Sequence, residues 1–297
     1  MTAEPAAPAA VEPFDPRRST FLDLRRSEPT LAAPTSQLCT QGQFAEPAYL
    51  RWCTELREPP ALKRKQWEFV YILEVLDRQG LLAPGRRGLG FGCGREPLAA
   101  VMANRVCEIV ATDLAADAAK GLGWMETDQH AAGIDDLNDR GICDPARFRD
   151  RVSFRSADMN AIAADLVGFD FVWSSCAFEH LGSIGHGQRF VVNAMRCLKP
   201  GGIAVHTTEF NLSSNYRTIE AHNLVVYRRS DIERLVALLD AAGHVVAPLN
   251  LNPGAGELDR HVDLPPYRTE PSLRLKLDNH VFTSLGLVVR CGGTGTT

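Results

Sequence analysis

The sequence has no apolar run long enough to cross a membrane. A transmembrane helix needs about 20 consecutive apolar residues, and no uninterrupted run in the 297-residue chain approaches that length. Residues 1–18 are rich in alanine and proline, contain acidic residues and lack the apolar stretch of a secretory signal. We therefore expect a cytoplasmic protein that has no membrane partner.

The sequence also lacks an excess of basic residues and any closely spaced pair of cysteines. The formal net charge is −4, so no overall positive field attracts nucleic acid or an anionic membrane. None of the eight cysteines forms a C-x-x-C pair, which argues against a zinc or disulfide framework. Reduced thiols are expected instead, within a core that the hydrophobic content of 45% can build.

A glycine-rich turn is the most informative feature that is present. Residues 86–113 predict a strand, a turn, a helix and a second strand that ends in a carboxylate. Gly90, Gly92 and Gly94 remove side chains where the first strand turns into the helix, so the backbone can approach a ligand closely. Asp113 follows Gly94 by 19 residues, about the spacing at which an acidic residue binds a ribose. The pattern predicts a site for a cofactor that contains a nucleoside.

Two common nucleotide motifs do not fit this turn. The dinucleotide pattern G-x-G-x-x-G needs a small third residue, but that position holds Cys93, Arg95 or Pro97, depending on which glycine starts the pattern. A P-loop needs Gly-Lys-Ser/Thr after the turn, and none follows here. Neither a dinucleotide site nor a P-loop is therefore expected.

The turn resembles the first motif of class I S-adenosylmethionine-dependent methyltransferases, in which a hydrophobic strand and an acidic residue precede Gly-x-Gly-x-Gly. Gly92-Cys93-Gly94 matches the centre of that motif. The sequence departs from it at both ends, since Gly90 stands where the acidic residue usually lies and Glu96 where the third glycine usually lies. Glu96 is therefore a candidate to supply the negative charge that the cofactor's ammonium group would otherwise lack.

Two further segments resemble the same family. Residues 169–181 resemble the strand-four segment of small-molecule methyltransferases, in which an Asp starts the strand and Glu-His opens the next segment; these are Asp170, Glu179 and His180 here. The Leu-Lys-Pro-Gly-Gly string at 198–202 resembles the turn before strand five of the family. This second string marks the fold and not the chemistry.

Strand and helix signals alternate from residue 88 onward, which predicts βαβ units and a parallel sheet. Together with the resemblance, this pattern predicts an α/β fold with a Rossmann-like sheet of seven mostly parallel strands, helices on both faces, an antiparallel last strand and an N-terminal helical cap. The expected divisions of the chain are a flexible Ala/Pro-rich arm at 1–37, the cap at 38–85, a methyltransferase domain at 86–291 with insertions at 114–151 and 250–281, and a tail at 292–297.

The candidate cofactor residues lie in the glycine turn or near the carboxyl ends of predicted strands, and they are Gly90, Gly92, Gly94, Glu96, Asp113, Leu114, Asp158, Met159, Ser174 and Ser175. The resemblance implies that the glycine turn holds the methionine end of S-adenosylmethionine. It also implies that Asp113 binds the ribose, and that Asp158 and Met159 contact the adenine. The two serines end strand four, and open α/β sheets bind their ligands at that edge.

His180 and Glu209 are the candidates for catalysis, since they follow strands four and five, which we expect to be neighbours. Methyl transfer from a sulfonium is an in-line displacement, and a hydroxyl or ammonium acceptor must also lose a proton. A histidine held by a carboxylate suits that step. A metal bound by His180, His206 and Glu209 is the alternative, but no pair of them has the i, i+4 spacing of a helical metal site. No metal is therefore expected.

The residues and the resemblance together predict an S-adenosylmethionine-dependent methyltransferase that acts on a small-molecule or sugar-like acceptor, with no nucleic-acid partner. Oxygen is slightly favoured over nitrogen as the accepting atom, because a His/Glu base is more useful to a hydroxyl. The alternative is a catalytically silent partner or regulatory subunit that binds S-adenosylmethionine without turnover. Aminopropyl transfer and metal-assisted methyl transfer on the same fold are less favoured.

Overall fold

The structure, a computed structural model, describes residues 27–115, 133–267 and 270–293. The strands are β1 (Ser36–Leu38), β2 (Arg87–Phe91), β3 (Glu108–Asp113), β4 (Val152–Ser156), β5 (Phe169–Ser175), β6 (Leu198–Asn211), β7 (Glu220–Ala221), β8 (Leu224–Val225), β9 (Val245–Val246), β10 (Leu249–Asn250), β11 (Leu275–Leu277) and β12 (His280–Arg290). The α-helices are α1 (Pro47–Glu55), α2 (Arg64–Arg78), α3 (Leu98–Asn104), α4 (Pro145–Arg151), α5 (Ile184–Ala194) and α6 (Arg229–Ala241). Short 3₁₀ helices lie at Gln41–Ala45, Ile134–Asn138, Phe178–His180 and Met195–Cys197.

One mixed sheet organises the fold, with the strand order β10-β1-β12-β6-β5-β2-β3-β4. Strands β2 to β6 pair with one another in parallel, whereas β12 runs antiparallel to β6. This arrangement confirms the predicted mostly parallel sheet with an antiparallel last strand. The chain runs outward from β2 through β3 to β4 and then returns to place β5 on the other side of β2. Ligands of open α/β sheets bind at such a switch point, outside the carboxyl ends of the strands.

Helices cover both faces of the sheet, because apolar side chains alternate along its central strands. Phe171 and Trp173 of β5 belong to the core on the face that α1 to α4 cover. Val172, between them, belongs to the core on the opposite face with Phe190 of α5 and Leu235 of α6. The predicted helices on both faces are thus confirmed. Among the described residues, no helix is long and apolar enough to cross a bilayer, and all eight cysteines are free thiols.

The N-terminal segment adds to the sheet, which therefore has more strands than the seven predicted. We expected an arm through residue 37, of which residues 1–26 lie outside the described part; however, Ser36 and Gln37 are fully buried in β1. This strand runs antiparallel to β12 and parallel to β10. The short strands β9 and β10 are separated at Pro248, which has no N–H to donate to a ladder.

Helix α2 lies directly on the sheet, where it can reach the carboxyl ends of the strands. It packs against Gly286 of β12, where a Cβ atom would lie 2.1 Å from Cε1 of Tyr71. The Tyr71 hydroxyl donates to the carbonyl of Thr35 at 2.6 Å, and its ring stacks on Trp67 with 4.9 Å between centroids. These contacts fix α2 and, with it, the polar residues at its N-terminal end.

Candidate active site

A cavity of about 850 Å³ lies at the carboxyl ends of β2 to β5. Most of the predicted site residues line it: Gly92, Gly94, Glu96, Asp113, Leu114, Asp158, Met159, Ser175 and His180. The N-terminal helical region adds Lys65 and Phe69 of α2, and the two predicted insertions add Arg140 and Glu270. Part of the first insertion, residues 116–132, lies outside the described residues.

The glycine turn presents an open backbone to the cavity. Gly92 and Gly94 have φ angles of +58° and +50°, in the left-handed region that side chains disfavour. A Cβ atom on Gly92 would also lie 2.8 Å from Cβ of Ala177 and 3.5 Å from Sδ of Met159. Both neighbours line the cavity, so the missing side chain keeps this part of the cavity open.

Two carboxylates stand beside this turn, as the cofactor interpretation requires. Oδ2 of Asp113 accepts from the Gly94 amide at 3.1 Å, and Oδ1 accepts from the Leu114 amide at 2.8 Å. These bonds fix the Asp113 carboxylate next to the turn. Asp158 follows β4 and is exposed, while the next residue, Met159, is buried. This pair therefore offers a hydrogen-bond acceptor beside an apolar surface.

Glu96 forms a partly buried ion pair with a residue that the sequence did not indicate. Nζ of Lys65 lies 2.6 Å from Oε1 of Glu96 and also donates to the Ser175 hydroxyl at 3.1 Å. Burial raises the pKa of Glu96 to about 7, even though Lys65 acts to lower it. The sequence shows that Lys65 lies within a predicted helix. It does not show which strand ends that helix packs against.

His180 has a local geometry that suits a base. It ends the 3₁₀ helix Phe178–His180, and its Nδ1 lies 2.6 Å from the carbonyl oxygen of Asn223. A carbonyl only accepts, so Nδ1 carries the proton and the basic lone pair of the neutral ring is on Nε2. Burial lowers the pKa of His180 despite the opposing effect of this hydrogen bond. The imidazole is therefore mostly neutral at pH 7.

Two predicted cofactor residues do not line the cavity. Gly90 lies inside β2, where a Cβ atom would meet Cζ2 of Trp173 at 2.3 Å, so its lack of a side chain serves packing between strands. Ser174 is buried, and its hydroxyl lies 2.7 Å from Nδ1 of His206. Successive residues of a strand point to opposite faces, and of the two serines only Ser175 reaches the cavity.

Glu209 is also outside the lining of the cavity. Its Oε1 forms an ion pair with Nη2 of Arg64, on α2, at 2.6 Å. His206 packs on the other face of β6, where its ring lies 5.7 Å from that of Phe190, and burial lowers its pKa to about 3. The alternative metal site is therefore not formed, because His206 and Glu209 point in opposite directions. The role of Glu209 beside His180 on the acceptor stays a prediction.

The order of the strands and the position of the cavity define a Rossmann-like fold of the methyltransferase type. A family model described as a methyltransferase domain matches residues 64–248, from α2 to the strands after α6. The chain belongs to this family, whose members are class I S-adenosylmethionine-dependent methyltransferases, and S-adenosylmethionine is the cofactor of the family. The resemblance seen in the sequence is thereby confirmed.

Several solved structures are similar in fold at low sequence identity. Phosphoethanolamine N-methyltransferase 2 of Haemonchus contortus, in complex with S-adenosyl-L-methionine, is 18% identical with a TM-score of 0.42, over 62% of this chain and 41% of that chain. Magnesium protoporphyrin IX methyltransferase of Synechocystis PCC 6803, with S-adenosylhomocysteine bound, is 10% identical with a TM-score of 0.45, over 76% and 85%.

A third similar structure comes from Galdieria sulphuraria, where it is provisionally described as a sarcosine dimethylglycine methyltransferase. It is 18% identical with a TM-score of 0.44, over 61% of this chain. The chain spans 60% of the length of that protein. No curated protein matches the chain.

Proposed function

We propose that the protein transfers the methyl group of S-adenosylmethionine to a small-molecule acceptor bound in the same cavity. The observation that carries this proposal is that the glycine turn, Asp113 and His180 all line one cavity of about 850 Å³. Small-molecule sites span about 300 to 1,000 Å³. The volume therefore supports a cofactor together with a small acceptor.

The residues of the cavity fit the parts of the cofactor in turn. Asp113 would accept hydrogen bonds from the ribose hydroxyls, and Asp158 with Met159 would hold the adenine. The open backbone at Gly92 would hold the methionine portion, and Glu96 would attract its ammonium group. Lys65, which the sequence analysis missed, would donate to the methionine carboxylate. The Lys65–Glu96 ion pair therefore complements the two opposite charges of the methionine portion.

When bound, S-adenosylmethionine supplies an electrophilic methyl group on a positively charged sulfur. His180 would hold the acceptor hydroxyl and would take its proton on Nε2 during the transfer. The imidazolium would then pass that proton to water. Holding the groups in line is the larger contribution, since positioning alone accounts for much of the barrier in such displacements.

The rim of the cavity supports a polar, uncharged acceptor such as a sugar-like molecule. Lys63 pairs with Glu270 at 2.9 Å, and Arg140 pairs with Glu58 at 2.7 Å. Groups paired in this way still offer donors and acceptors to hydroxyls. They do not, however, provide the surplus charge that would select a strongly ionic acceptor.

Calorimetry with S-adenosylmethionine, S-adenosylhomocysteine and NAD tests the cofactor part of the proposal. We expect the first two to bind, and Gly92→Ala to weaken binding at least tenfold, because the new methyl group meets Ala177. Gly80→Ala is the matched control, since Gly80 has a similar φ of +66° but open space around it. Tight binding of NAD with no response to the other two ligands would overturn the proposal.

A second experiment tests the base. With a panel of sugars and other hydroxylated small molecules, formation of S-adenosylhomocysteine should fall at least about 100-fold in His180→Ala, while cofactor affinity stays unchanged. His186→Ala, at an exposed histidine of α5, should behave as wild type. Normal turnover in His180→Ala would contradict the role of His180, and cofactor binding without turnover of any acceptor would favour the silent partner.

A further inference from the structure

Charged side chains form a mostly buried cluster at the wall of the cavity, between α2, β6, the glycine turn and the segment after β5. We call it the carboxylate cluster, and it consists of Glu68, Glu96, Glu179 and Glu209 with Arg64 and Lys65. Four carboxylates thus face two cations, which leaves an excess of two negative charges when all are ionised. Such an excess is costly in a buried region unless a further cation or bound protons offset it.

Ion pairs are most numerous in one half of the carboxylate cluster, although Oε2 of Glu96 is buried there without a hydrogen-bond partner among the described residues. Oε1 of Glu68 accepts from Nη1 of Arg64 at 3.1 Å and from the Ser284 hydroxyl at 2.5 Å. Oε2 of Glu68 lies 3.3 Å from Nζ of Lys65. Lys65 also pairs with Glu96. Arg64 and Lys65 are therefore both already paired with carboxylates.

The other half is not satisfied. Glu179 accepts from the Thr208 hydroxyl with Oε2 at 3.1 Å, and Glu209 pairs with Arg64 through Oε1. The remaining oxygens, Oε1 of Glu179 and Oε2 of Glu209, are buried and have no hydrogen-bond partner among the described residues. A buried acceptor without a partner is costly, so these two oxygens point to a missing positively charged ligand.

A thiol completes this arrangement. Sγ of Cys176 and one oxygen each of Glu179 and Glu209 all lie within 4.8 Å of one another. Cys176 also has a φ of +45°, which a residue with a side chain adopts only when its surroundings impose it. The three groups therefore form a compact set of potential ligands in negative surroundings.

We propose that Cys176, Glu179 and Glu209 bind a divalent metal ion of the zinc type. Zinc accepts thiolate at about 2.3 Å and carboxylate oxygen at about 2.0–2.2 Å, and the thiolate argues against Mg²⁺ and Ca²⁺. A tetrahedral zinc with these bonds separates its ligand atoms by about 3.5 Å. Side-chain movements of about 1 Å close the three ligand atoms around the ion.

The proposed site borders the cavity through Cys176, which is part of the lining. Three protein ligands leave the fourth position of a tetrahedral site for water or for an oxygen of the acceptor. The ion also offsets two of the three excess negative charges that the carboxylate cluster carries once the Cys176 thiol is deprotonated. Metal binding does not depend on the proposed methyl transfer, since none of the three ligands is assigned to the cofactor.

The test uses the full chain, stripped of metal with a chelator and then dialysed against Zn²⁺ at about pH 8. Elemental analysis should find one zinc per chain, and titration with Co²⁺ should produce a thiolate-to-cobalt charge-transfer band. Cys176→Ser should abolish the band, and Glu179→Gln and Glu209→Gln should each weaken metal binding at least tenfold. Cys197→Ser is the matched control, because Cys197 is buried at a distance from the cluster, and it should keep both zinc and band.

The proposal is overturned if wild type binds no stoichiometric zinc or cobalt, which would mean that bound protons alone neutralise the carboxylates. It is equally overturned if the band persists in Cys176→Ser. Circular dichroism verifies that each variant is folded. Calorimetry with S-adenosylmethionine on the same samples separates the two proposals, because loss of zinc with intact cofactor binding affects only the metal site.

Discussion

Two glycines of the same turn are required for different reasons. Gly92 borders the cavity, where a side chain would meet Ala177 and Met159. Gly90 borders Trp173 of the neighbouring strand and serves only the packing of the sheet. The motif therefore combines a ligand requirement with a packing requirement, and its letters alone do not separate them.

Glu96 is the residue of the cavity on which pH should act most directly. It is buried, and the pKa of its carboxyl is raised to about 7 by that burial. In the proposed binding mode the carboxylate form attracts the cofactor's ammonium, and this form becomes dominant as the pH rises through the pKa. Raising the pH therefore strengthens the interaction.

We predict that the affinity for S-adenosylmethionine rises between pH 6 and pH 8. The ionised fraction of Glu96 grows from about a tenth to about nine tenths over that range, so the dissociation constant should fall by up to about tenfold. In Glu96→Gln the affinity should be weaker at pH 8 and nearly independent of pH. Calorimetry at several pH values measures both effects.

The control for this prediction is Glu270→Gln at the rim of the cavity. Glu270 also pairs with a lysine, Lys63, but its side chain is 43% exposed, and this variant should keep the pH dependence of wild type. An equal pH dependence in wild type and Glu96→Gln would show that another group titrates.

At the scale of elements, α2 places charged side chains of the N-terminal cap at the cavity. Its N-terminal residues Arg64, Lys65 and Glu68 reach the cavity wall and the carboxylate cluster. Its middle rests on β12, where Gly286 makes room for Tyr71. The position of the charged groups therefore depends on one close contact between a helix and a strand.

Gly286→Ala should destabilise the protein, since the added methyl group would lie 2.1 Å from the ring of Tyr71. Overpacking of this kind costs about 1–3 kcal/mol, and the displaced α2 should also weaken cofactor binding through Lys65. Urea unfolding and calorimetry measure the two effects. Gly42→Ala is the control, because the nearest neighbour there is 3.7 Å away. Equal stability of the two variants would contradict the packing argument.

At the scale of the whole molecule, a buried glutamine joins the N-terminal segment to the rest of the fold. Oε1 of Gln43 accepts from Gln37 of β1 at 2.7 Å and from the indole of Trp67 of α2 at 2.8 Å. Its Nε2 donates to the Leu38 carbonyl at 2.8 Å and to the Thr40 hydroxyl at 3.0 Å. One side chain thus links an edge of the sheet to the cap helix.

Gln43→Met should lower the free energy of unfolding by at least about 2 kcal/mol, because methionine fills the space but leaves two buried N–H donors without an acceptor. The urea midpoint measures this loss. Gln79→Met, at an exposed glutamine that accepts one bond from Arg290, should change stability by less than about 0.5 kcal/mol. A similar midpoint for both variants would mean that the Gln43 network contributes little.

The local features of the fold could be predicted from the sequence. The alternation of strands and helices predicted from residue 88 onward is present in the structure, because buried strands and glycine turns have short-range patterns. The carboxylates that end β3 and follow β4 lie on the cavity for the same reason, since the ends of parallel strands share one edge. The strand contributed by residues 36–38 was missed, because three residues carry too little periodicity to indicate one.

By itself, the sequence determined the class of the protein and most of the predicted residues that line its cavity, through motifs that are each contained in a few consecutive residues. Only the tertiary structure decided which charged and polar side chains are in contact. Lys65 reaches Glu96 across 31 residues of sequence, Glu209 turns to Arg64 and away from the cavity, and Cys176 converges with Glu179 and Glu209. The physical reason is that these contacts depend on how α2 packs on the sheet and on which face of its strand each side chain lies. A linear pattern of residue types contains neither piece of information.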